Sequence, residues 1–195
     1  MKSNAQPVSP EFPSDELLIF IGHSDDASVE AEAIWELQAK ITEKFKLLLN
    51  ANGHHSSYRS VKFWKWQYDA AALIGGQDVV VTPELDRARI ALFVFRERVG
   101  RVTREELDRV RGKRKEDRIR ILVFFPKQPF EPEKLADDVY AEDWAKLMKY
   151  KKELTSDWNE PDSYSVTPCC AYTNKEDLLG MVRDKIEQVL AELAT

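Results

Sequence analysis

The sequence predicts one α/β domain in which a parallel sheet is covered by helices on both faces. Five apolar segments rich in β-branched and aromatic residues alternate with segments whose apolar residues recur at helical spacing. The first segment, residues 17–21, is continuously apolar, which is typical of a central strand that is buried on both faces. Strands and helices that alternate in this way form three-layer folds.

The predicted strands fix the expected topology. They cover residues 17–21, 61–67, 90–95 and 119–125, and part of 164–172. Right-handed crossovers leave few ways to arrange five parallel strands, and the order 2-1-3-4-5 is the commonest of them. We therefore predict a flavodoxin-like three-layer fold with a five-stranded parallel sheet in that order.

Caps and apolar periodicity predict the helices. The first helix has possible caps at Ser24, Asp25 and Ser28, and a stop at Asn52-Gly53. Its apolar face consists of Ile34, Leu37, Ile41, Phe45 and Leu48. Further helices are expected near 83–88, at 103–115 and at 140–154.

Two T-x-x-E sequences match the capping box, in which a threonine opens a helix and a glutamate three residues later bonds back to it. They are Thr103 with Glu106, and Thr173 with Glu176. Each threonine is predicted to be the N-cap of its helix. The apolar face of the last helix consists of Leu178, Val182, Ile186, Val189 and Leu193.

The predicted strand order also locates a ligand crevice. In folds of this type ligands bind beyond the carboxyl ends of the strands, at the point where the strand order reverses, here between strands 1 and 3. The segments that follow these ends are residues 22–26 and 96–103. The crevice is therefore expected between residues 21–26 and 96–106.

Length and composition are those of one cytoplasmic domain. The chain has 195 residues, of which 43% are hydrophobic and 32% charged. The polar segment 1–14 is predicted to be a flexible tail and residues 15–195 the domain. No apolar run reaches the roughly 20 residues of a membrane span, and the only two cysteines are adjacent, so neither membrane contact nor a disulfide scaffold is expected.

Charge is distributed unevenly along the chain. At a net charge of −5, direct binding of nucleic acid is not expected. Residues 96–120, however, contain eleven Lys or Arg against six Asp or Glu. Such a segment can attract phosphates, but it is more often a solvated helix face. Both interpretations stay open.

Few residues near the predicted crevice could act in catalysis or bind a metal. The chain has no P-loop, no GxGxxG and no cysteine or histidine cluster at metal-binding spacing; the His54-His55 pair lacks further ligands. His23 follows strand 1, and Glu105 and Glu106 follow strand 3. A carboxylate in this place could stabilise an oxocarbenium-like transition state on a sugar. The capping box gives the same glutamate a purely structural role.

Four short segments, in order and spacing, resemble one known family. Residues 19–24 (IFIGHS) follow the first-strand pattern of that family, and Asp69, Leu73 and Gly76 follow its D-x3-L-x2-G pattern in the loop after the second strand, the BB loop. Residues 84–89, which lead into the third strand, and the Glu106-Leu107 step are similar as well. The family is that of TIR domains, and the resemblance, over about residues 16–193, is nearest to its bacterial NAD-cleaving members.

The resemblance implies a flavodoxin-like TIR fold and an NAD glycohydrolase that cleaves the nicotinamide–ribose bond, with NAD as substrate and no cofactor. Glu106 would be the catalytic residue, with Glu105 as the second choice. The implied substrate-binding residues are Gly22, His23 and Ser24 beside the nicotinamide, Phe63 or Trp64 near a ring, and Arg96 and Arg98 at the pyrophosphate. Val102 stands where many members have tryptophan, and the BB loop lacks the proline of animal members.

The resemblance also implies partners and alternatives. An NAD-cleaving member is expected to act in antiphage defence, to self-associate through TIR–TIR contacts, and to work with a fused or separate sensor module. The first alternative is a non-enzymatic assembly module with contacts around residues 113–120. The second is an enzyme like the nucleoside deoxyribosyltransferases, which also use a glutamate on a sugar.

Overall fold

The computed structural model describes residues 15–51, 57–65, 77–117, 119–157 and 167–194. Five strands form one parallel sheet in the order β2-β1-β3-β4-β5. The strands are β1 Glu16–His23, β2 Ser60–Trp64, β3 Ile90–Val94, β4 Arg120–Pro126 and β5 Thr167–Tyr172. The predicted flavodoxin-like fold is confirmed, including its strand order.

Six helices lie in the described ranges and cover both faces of the sheet. They are α1 Ser28–Trp35, α2 Gln38–Ala51, α3 Gln77–Arg87, α4 Arg101–Asp117, α5 Asp138–Asp157 and α6 Lys175–Leu193. Short 3₁₀ turns occupy Asp25–Ala27 and Pro132–Ala136. No helix in these ranges is long and apolar enough to cross a membrane.

Alternation along β1 divides the core into two layers. Successive side chains of a strand point to opposite faces. Leu17, Ile19 and Ile21 pack with α1, α2 and α6, whereas Leu18 and Phe20 pack with α3, α4 and α5. All five residues of β3 are buried. The continuously apolar strands are therefore explained by cover on both faces.

The single first helix predicted from the sequence is wrong, because two helices occupy its place. The Leu37 amide donates to the Ile34 carbonyl at 3.0 Å, an i to i+3 bond that tightens the turn after α1. On α2 the buried residues are Ile41, Phe45 and Leu49, whereas Leu48 is only partly buried.

The start predicted for the helix near 83–88 is also wrong. α3 begins six residues earlier, at Gln77, and Pro83 lies inside it. Val81 and Leu85 are four residues apart and both are buried against the sheet. Packing of this face against the sheet outweighs the loss of one backbone donor at the proline.

The last helix has a cap one residue later than predicted. Asn174 is the N-cap, and its Oδ1 accepts a hydrogen bond from the Asp177 amide at 2.8 Å. Asp177 Oδ2 in turn accepts from the amide and the hydroxyl of Thr173, at 2.9 and 2.8 Å. The reciprocal cap thus uses the pair Asn174 and Asp177, and the Thr173–Glu176 box is wrong.

Candidate active site at the exit of strand β1

The carboxyl end of β1 lies at the point where the sheet order reverses. β1 pairs with β2 on one side and with β3 on the other, and Gly22 and His23 are opposite Phe93 and Val94. The helices that follow β1 and β3 pack on opposite faces of the sheet. Folds of this class bind ligands at such a point, so the exit of β1 is the candidate site.

Glu106 projects from α4 onto this exit. Its Oε2 lies 3.3 Å from the position that a Cβ would take on Gly22, so the carboxylate lies directly against the backbone of β1. Glu105 has a different environment: its side chain is 55% exposed, and its Oε1 accepts from Arg101 Nη1 at 2.7 Å. Of the two adjacent carboxylates, Glu106 therefore faces the sheet and Glu105 faces solvent.

Gly22 is required for this close approach. A Cβ on Gly22 would lie 2.6 Å from two carbons of the Phe93 ring, and Phe93 is fully buried. The ring occupies the space that any larger residue at position 22 would need. The glycine therefore lets both the Phe93 ring and the Glu106 carboxylate reach the end of β1.

Thr103 does not cap α4. The helix begins two residues earlier, at Arg101, so Thr103 lies within its first turn. The Thr103 side chain is 4% exposed, and its hydroxyl donates to the His23 carbonyl at 2.7 Å. The predicted capping box Thr103–Glu106 is therefore wrong, because Thr103 lies inside the helix and its side chain contacts β1.

His23 is a neutral ring held by its own loop. Nδ1 lies 2.9 Å from the Ser24 carbonyl and must carry the proton to donate to it. Burial lowers the pKa of His23 below its ordinary value, and the nearby Lys65 charge lowers it further; the bond to Ser24 and the Asp25 and Asp26 charges oppose this. In this tautomer Nε2 is the acceptor.

Ser24 joins the two strand exits and does not act as a helix cap. Its amide donates to the Val94 carbonyl at 3.1 Å, and its Oγ accepts from the Arg96 amide at 3.4 Å. The side chain is fully buried. The cap predicted at Ser24 is wrong, since the hydroxyl bonds across to the connection between β3 and α4.

Arg96 and Arg98 are placed differently. Arg96 Nη1 bonds to Glu30 Oε1 at 2.5 Å, and its guanidinium carbon lies 4.3 Å from the centroid of the Phe130 ring. Glu30 is 2% exposed and the Arg96 side chain is 26% exposed, so the pair joins a buried carboxylate to a partly buried guanidinium. Arg98 is exposed. A role of either arginine at a pyrophosphate stays a prediction, and Arg96 would first have to leave Glu30.

Phe63 and Trp64 are core residues on opposite faces of the sheet. Phe63 is fully buried among the side chains of the α1, α2 and α6 layer. Trp64 is 3% exposed and stacks on Phe20, with ring centroids 5.2 Å apart. Contact of Phe63 with a ligand ring would require it to leave the core. The predicted ring contacts therefore stay predictions.

Lys65 is a charged residue of this region that the sequence analysis missed. It directly follows β2, its side chain is fully buried, and Nζ lies 2.8 Å from Glu32 Oε2. Buried lysines are rare in proteins and need a partner. The signal was present, because Lys65 continues the inward alternation of Val61 and Phe63.

A second missed group ties the two connections together. Asp26 Oδ2 accepts from the Glu97 amide at 2.7 Å, and the Tyr140 hydroxyl donates to Glu97 Oε1 at 2.9 Å. Burial, with this bond to Glu97, raises the pKa of Tyr140 to about 12. These bonds hold the β1–α1 connection, the β3–α4 connection and the start of α5 in one unit. No local sequence pattern predicts these hydrogen bonds, because they depend on tertiary packing.

The basic segment 96–120 forms ion pairs along α4. Among the described side chains of α4 four pairs are seen: Arg101–Glu105, Arg104–Asp108, Arg111–Asp108 and Arg109–Asp86. Three of them join residues three or four apart on the helix, as expected of a solvated face. The side chains of residues 113–118 lie outside the described part, and so does the assembly contact predicted around 113–120, apart from Ile119 and Arg120.

Other predicted features fall on residues outside the described ranges. These are the tail at 1–14, the His54-His55 pair and the Asp69, Leu73 and Gly76 pattern. Within the described ranges, no group of three or more His, Cys, Asp or Glu is arranged to hold a metal ion. The chain matches no protein-family model, and no curated protein matches it.

Proposed function

We propose that the protein is a TIR-like NAD glycohydrolase that cleaves the bond between nicotinamide and ribose. The proposal includes a cytoplasmic effector role in bacterial antiphage defence, with activity on self-assembly. Its sequence support is the set of short segments similar to TIR domains, in their order and spacing. Its structural support comes from one carboxylate.

That carboxylate is Glu106. Its contact with Gly22 puts one acidic side chain over the switch point of a flavodoxin-like sheet, where folds of this class bind ligands. A sugar that rests on the exit of β1 would have this carboxylate beside it. The neighbouring Glu105 is paired with Arg101 on the solvent side and is placed poorly for the same task.

The proposed reaction needs little more than a positioned anion. The C1′–N bond breaks, and its electron pair stays on the nicotinamide nitrogen, which becomes neutral. Positive charge then develops on the ribosyl C1′, and a fixed carboxylate stabilises it. A water oxygen bonds to C1′ and loses a proton to give ADP-ribose; intramolecular attack on C1′ gives a cyclised product instead.

The other residues of the exit would bind the substrate. Neutral His23 offers an acceptor at Nε2 and so suits the amide group of nicotinamide. Gly22 lets the Glu106 carboxylate lie against the backbone of β1. Exposed Arg98 is the better candidate for the pyrophosphate, because Arg96 is engaged by buried Glu30.

The test compares Glu106→Gln with Glu105→Gln, a matched pair of isosteric changes one residue apart. Wild type and both variants are incubated with NAD at high protein concentration, and light scattering reports the assembly state. Loss of an electrostatic stabiliser of a transition state costs about 10²–10³-fold in kcat, so Glu106→Gln should lose that much nicotinamide release. Glu105→Gln should remain near wild type.

Wild-type turnover in Glu106→Gln would overturn the assignment of the catalytic residue. No NAD loss from the assembled wild-type protein would overturn the enzymatic proposal and favour the assembly module. Base exchange on deoxynucleosides with NAD untouched would favour the deoxyribosyltransferase alternative. Circular dichroism of both variants checks that the fold is intact.

A further inference from the structure

Thr103 links the first turn of α4 to the exit of β1. Its hydroxyl donates to the His23 carbonyl at 2.7 Å, in a nearly fully buried position. A second contact lies beside it: a Cβ on Gly100 would be 3.3 Å from Thr103 Oγ1 and 3.7 Å from the Ser24 Cα. The start of α4 therefore packs closely against the residues that follow Gly22.

We propose that Thr103 is a positioning residue for Glu106: its bond to the His23 carbonyl sets where the Glu106 carboxylate lies over Gly22. The catalytic consequence rests on the function proposed above. The positional consequence does not, because it concerns only the orientation of one helix turn.

The helix geometry supports this link. Residues three apart on a helix lie on the same face, so Thr103 and Glu106 both point towards β1. Both ends of the link are observed, Thr103 at His23 and Glu106 at Gly22, and these two β1 residues are adjacent. A rotation or shift of the first turn of α4 would break the first contact and move the second.

The hydroxyl is the part of Thr103 that carries the link. Valine has the same shape without the donor, and serine keeps the donor without the methyl group. Effective catalysis needs reacting groups placed to within about 1 Å, and a misplacement of that size costs about 10²-fold in rate. Loss of the donor should therefore lower kcat more than it raises KM.

The kinetic experiment uses Thr103→Val, Thr103→Ser and the control Thr42→Val in the full chain. Thr42 also donates its hydroxyl to a strand carbonyl, that of Val61 at 3.3 Å, but on the other face of the sheet. We expect Thr103→Val to lower kcat for NAD cleavage about 10- to 100-fold, with KM changed less than about threefold. Thr103→Ser should recover most of the loss, and Thr42→Val should keep wild-type kcat.

A second readout does not depend on activity. The ¹³C-carboxyl resonance of Glu106, assigned by its absence in Glu106→Gln, is followed as pH is varied. Thr103→Val should change the chemical shift and the titration midpoint of the Glu106 resonance. Thr103→Ser should restore both, and Thr42→Val should leave both unchanged.

The two readouts separate the two proposals. If the wild-type protein does not cleave NAD, the proposed function fails, and the resonance of Glu106 alone decides the role of Thr103. A Glu106 resonance and titration unchanged in Thr103→Val would overturn the positioning role, whatever happens to activity. A loss of kcat in Thr103→Ser as deep as in Thr103→Val would overturn it too.

Discussion

The N-termini of α4 and α6 carry the same four-residue pattern and use it differently. Each helix follows a strand of the sheet and has a threonine and a glutamate three residues apart, at 103–106 and 173–176. At α6 the polar side chains form a local, solvent-exposed cap around Asn174 and Asp177. At α4 the threonine and the glutamate both reach the exit of β1.

The position of the threonine relative to the helix start explains the difference. Thr173 precedes the N-cap of α6, where its amide and hydroxyl can bond to Asp177. Thr103 comes two residues after the start of α4, where its side chain points across the helix to the sheet. The same pattern thus lies beside a local cap at the start of α6 and contributes to a candidate site at the start of α4. We therefore expect the connection into α4 to be sensitive to substitution and the α6 cap to be tolerant.

The largest effect is expected at Arg96, in the connection into α4. Arg96→Met removes the partner of Glu30, which is 2% exposed and whose Oε2 already has no hydrogen-bond partner among the described residues. An uncompensated buried charge typically costs about 3–5 kcal/mol, so the free energy of unfolding should fall by that order. Urea denaturation followed by circular dichroism measures it.

Glu30→Gln in the Arg96→Met background is the control for this prediction. Removal of the buried charge should recover part of the lost stability, because only the amide then needs a partner. A fall of less than about 1 kcal/mol in Arg96→Met would show that the pair is not buried in solution. Arg96 would then be free to serve as the pyrophosphate ligand predicted from the sequence.

The second effect is expected at Gly22. In Gly22→Ala the new methyl group would lie 2.6 Å from the buried Phe93 ring and 3.3 Å from Glu106 Oε2. Overpacking of this kind costs about 1–3 kcal/mol, and the shift that relieves it should also displace Glu106 and lower NAD cleavage. Thermal unfolding and the NAD assay measure the two effects. Gly180→Ala is the control, since a Cβ there meets no atom within 4 Å.

These two sites show what the sequence could predict. The five strands and their order follow from apolar runs and from the rules of parallel crossovers, and they place the exit of β1 before any side chain is considered. The contact of Glu106 with Gly22 places this carboxylate at the exit of β1, and its role there stays a prediction.

What the sequence could not predict depends on contacts between distant segments. Arg96 looks like a free cation, and only folding reveals that Glu30, 66 residues earlier, pairs with it. Phe63 and Trp64 look like ligand contacts, but the pleat directs them into opposite halves of the core. Thr103 matches a cap, and the start of α4 at Arg101 depends on packing as much as on local pattern.

A smaller effect is expected at the α6 cap. Asn174→Ala removes the acceptor for the Asp177 amide. Loss of an N-cap side chain costs about 1 kcal/mol, so chemical denaturation should show a modest decrease in stability. NAD cleavage should not change, because the β5–α6 connection contributes no residue to the proposed site. A loss of NAD cleavage in Asn174→Ala that exceeds the loss of folded protein would contradict the expectation that only the start of α4 serves the proposed site.

The smallest effect concerns the pH dependence of the same cap. The hydrogen bonds from Thr173 lower the pKa of Asp177 below its ordinary value of about 3.9, since they favour the charged carboxylate. The folded state therefore holds this proton less tightly than the unfolded state does. The stabilisation is fully present above the unfolded pKa and is lost as pH falls through the folded pKa.

Asp177→Asn should therefore flatten the stability profile at the acid end. The free energy of unfolding, measured from about pH 5 down to pH 2, should differ most between wild type and variant at the upper end of this window, and the two curves should converge below it. Because the group is exposed, added salt should reduce the difference as well. Glu176→Gln is the matched control, since Asp177 and not Glu176 accepts the bonds from Thr173. The opposite result, a flattened profile in Glu176→Gln and an unchanged one in Asp177→Asn, would support the Thr173–Glu176 capping box predicted from the sequence. It would contradict the contrast between the starts of α4 and α6.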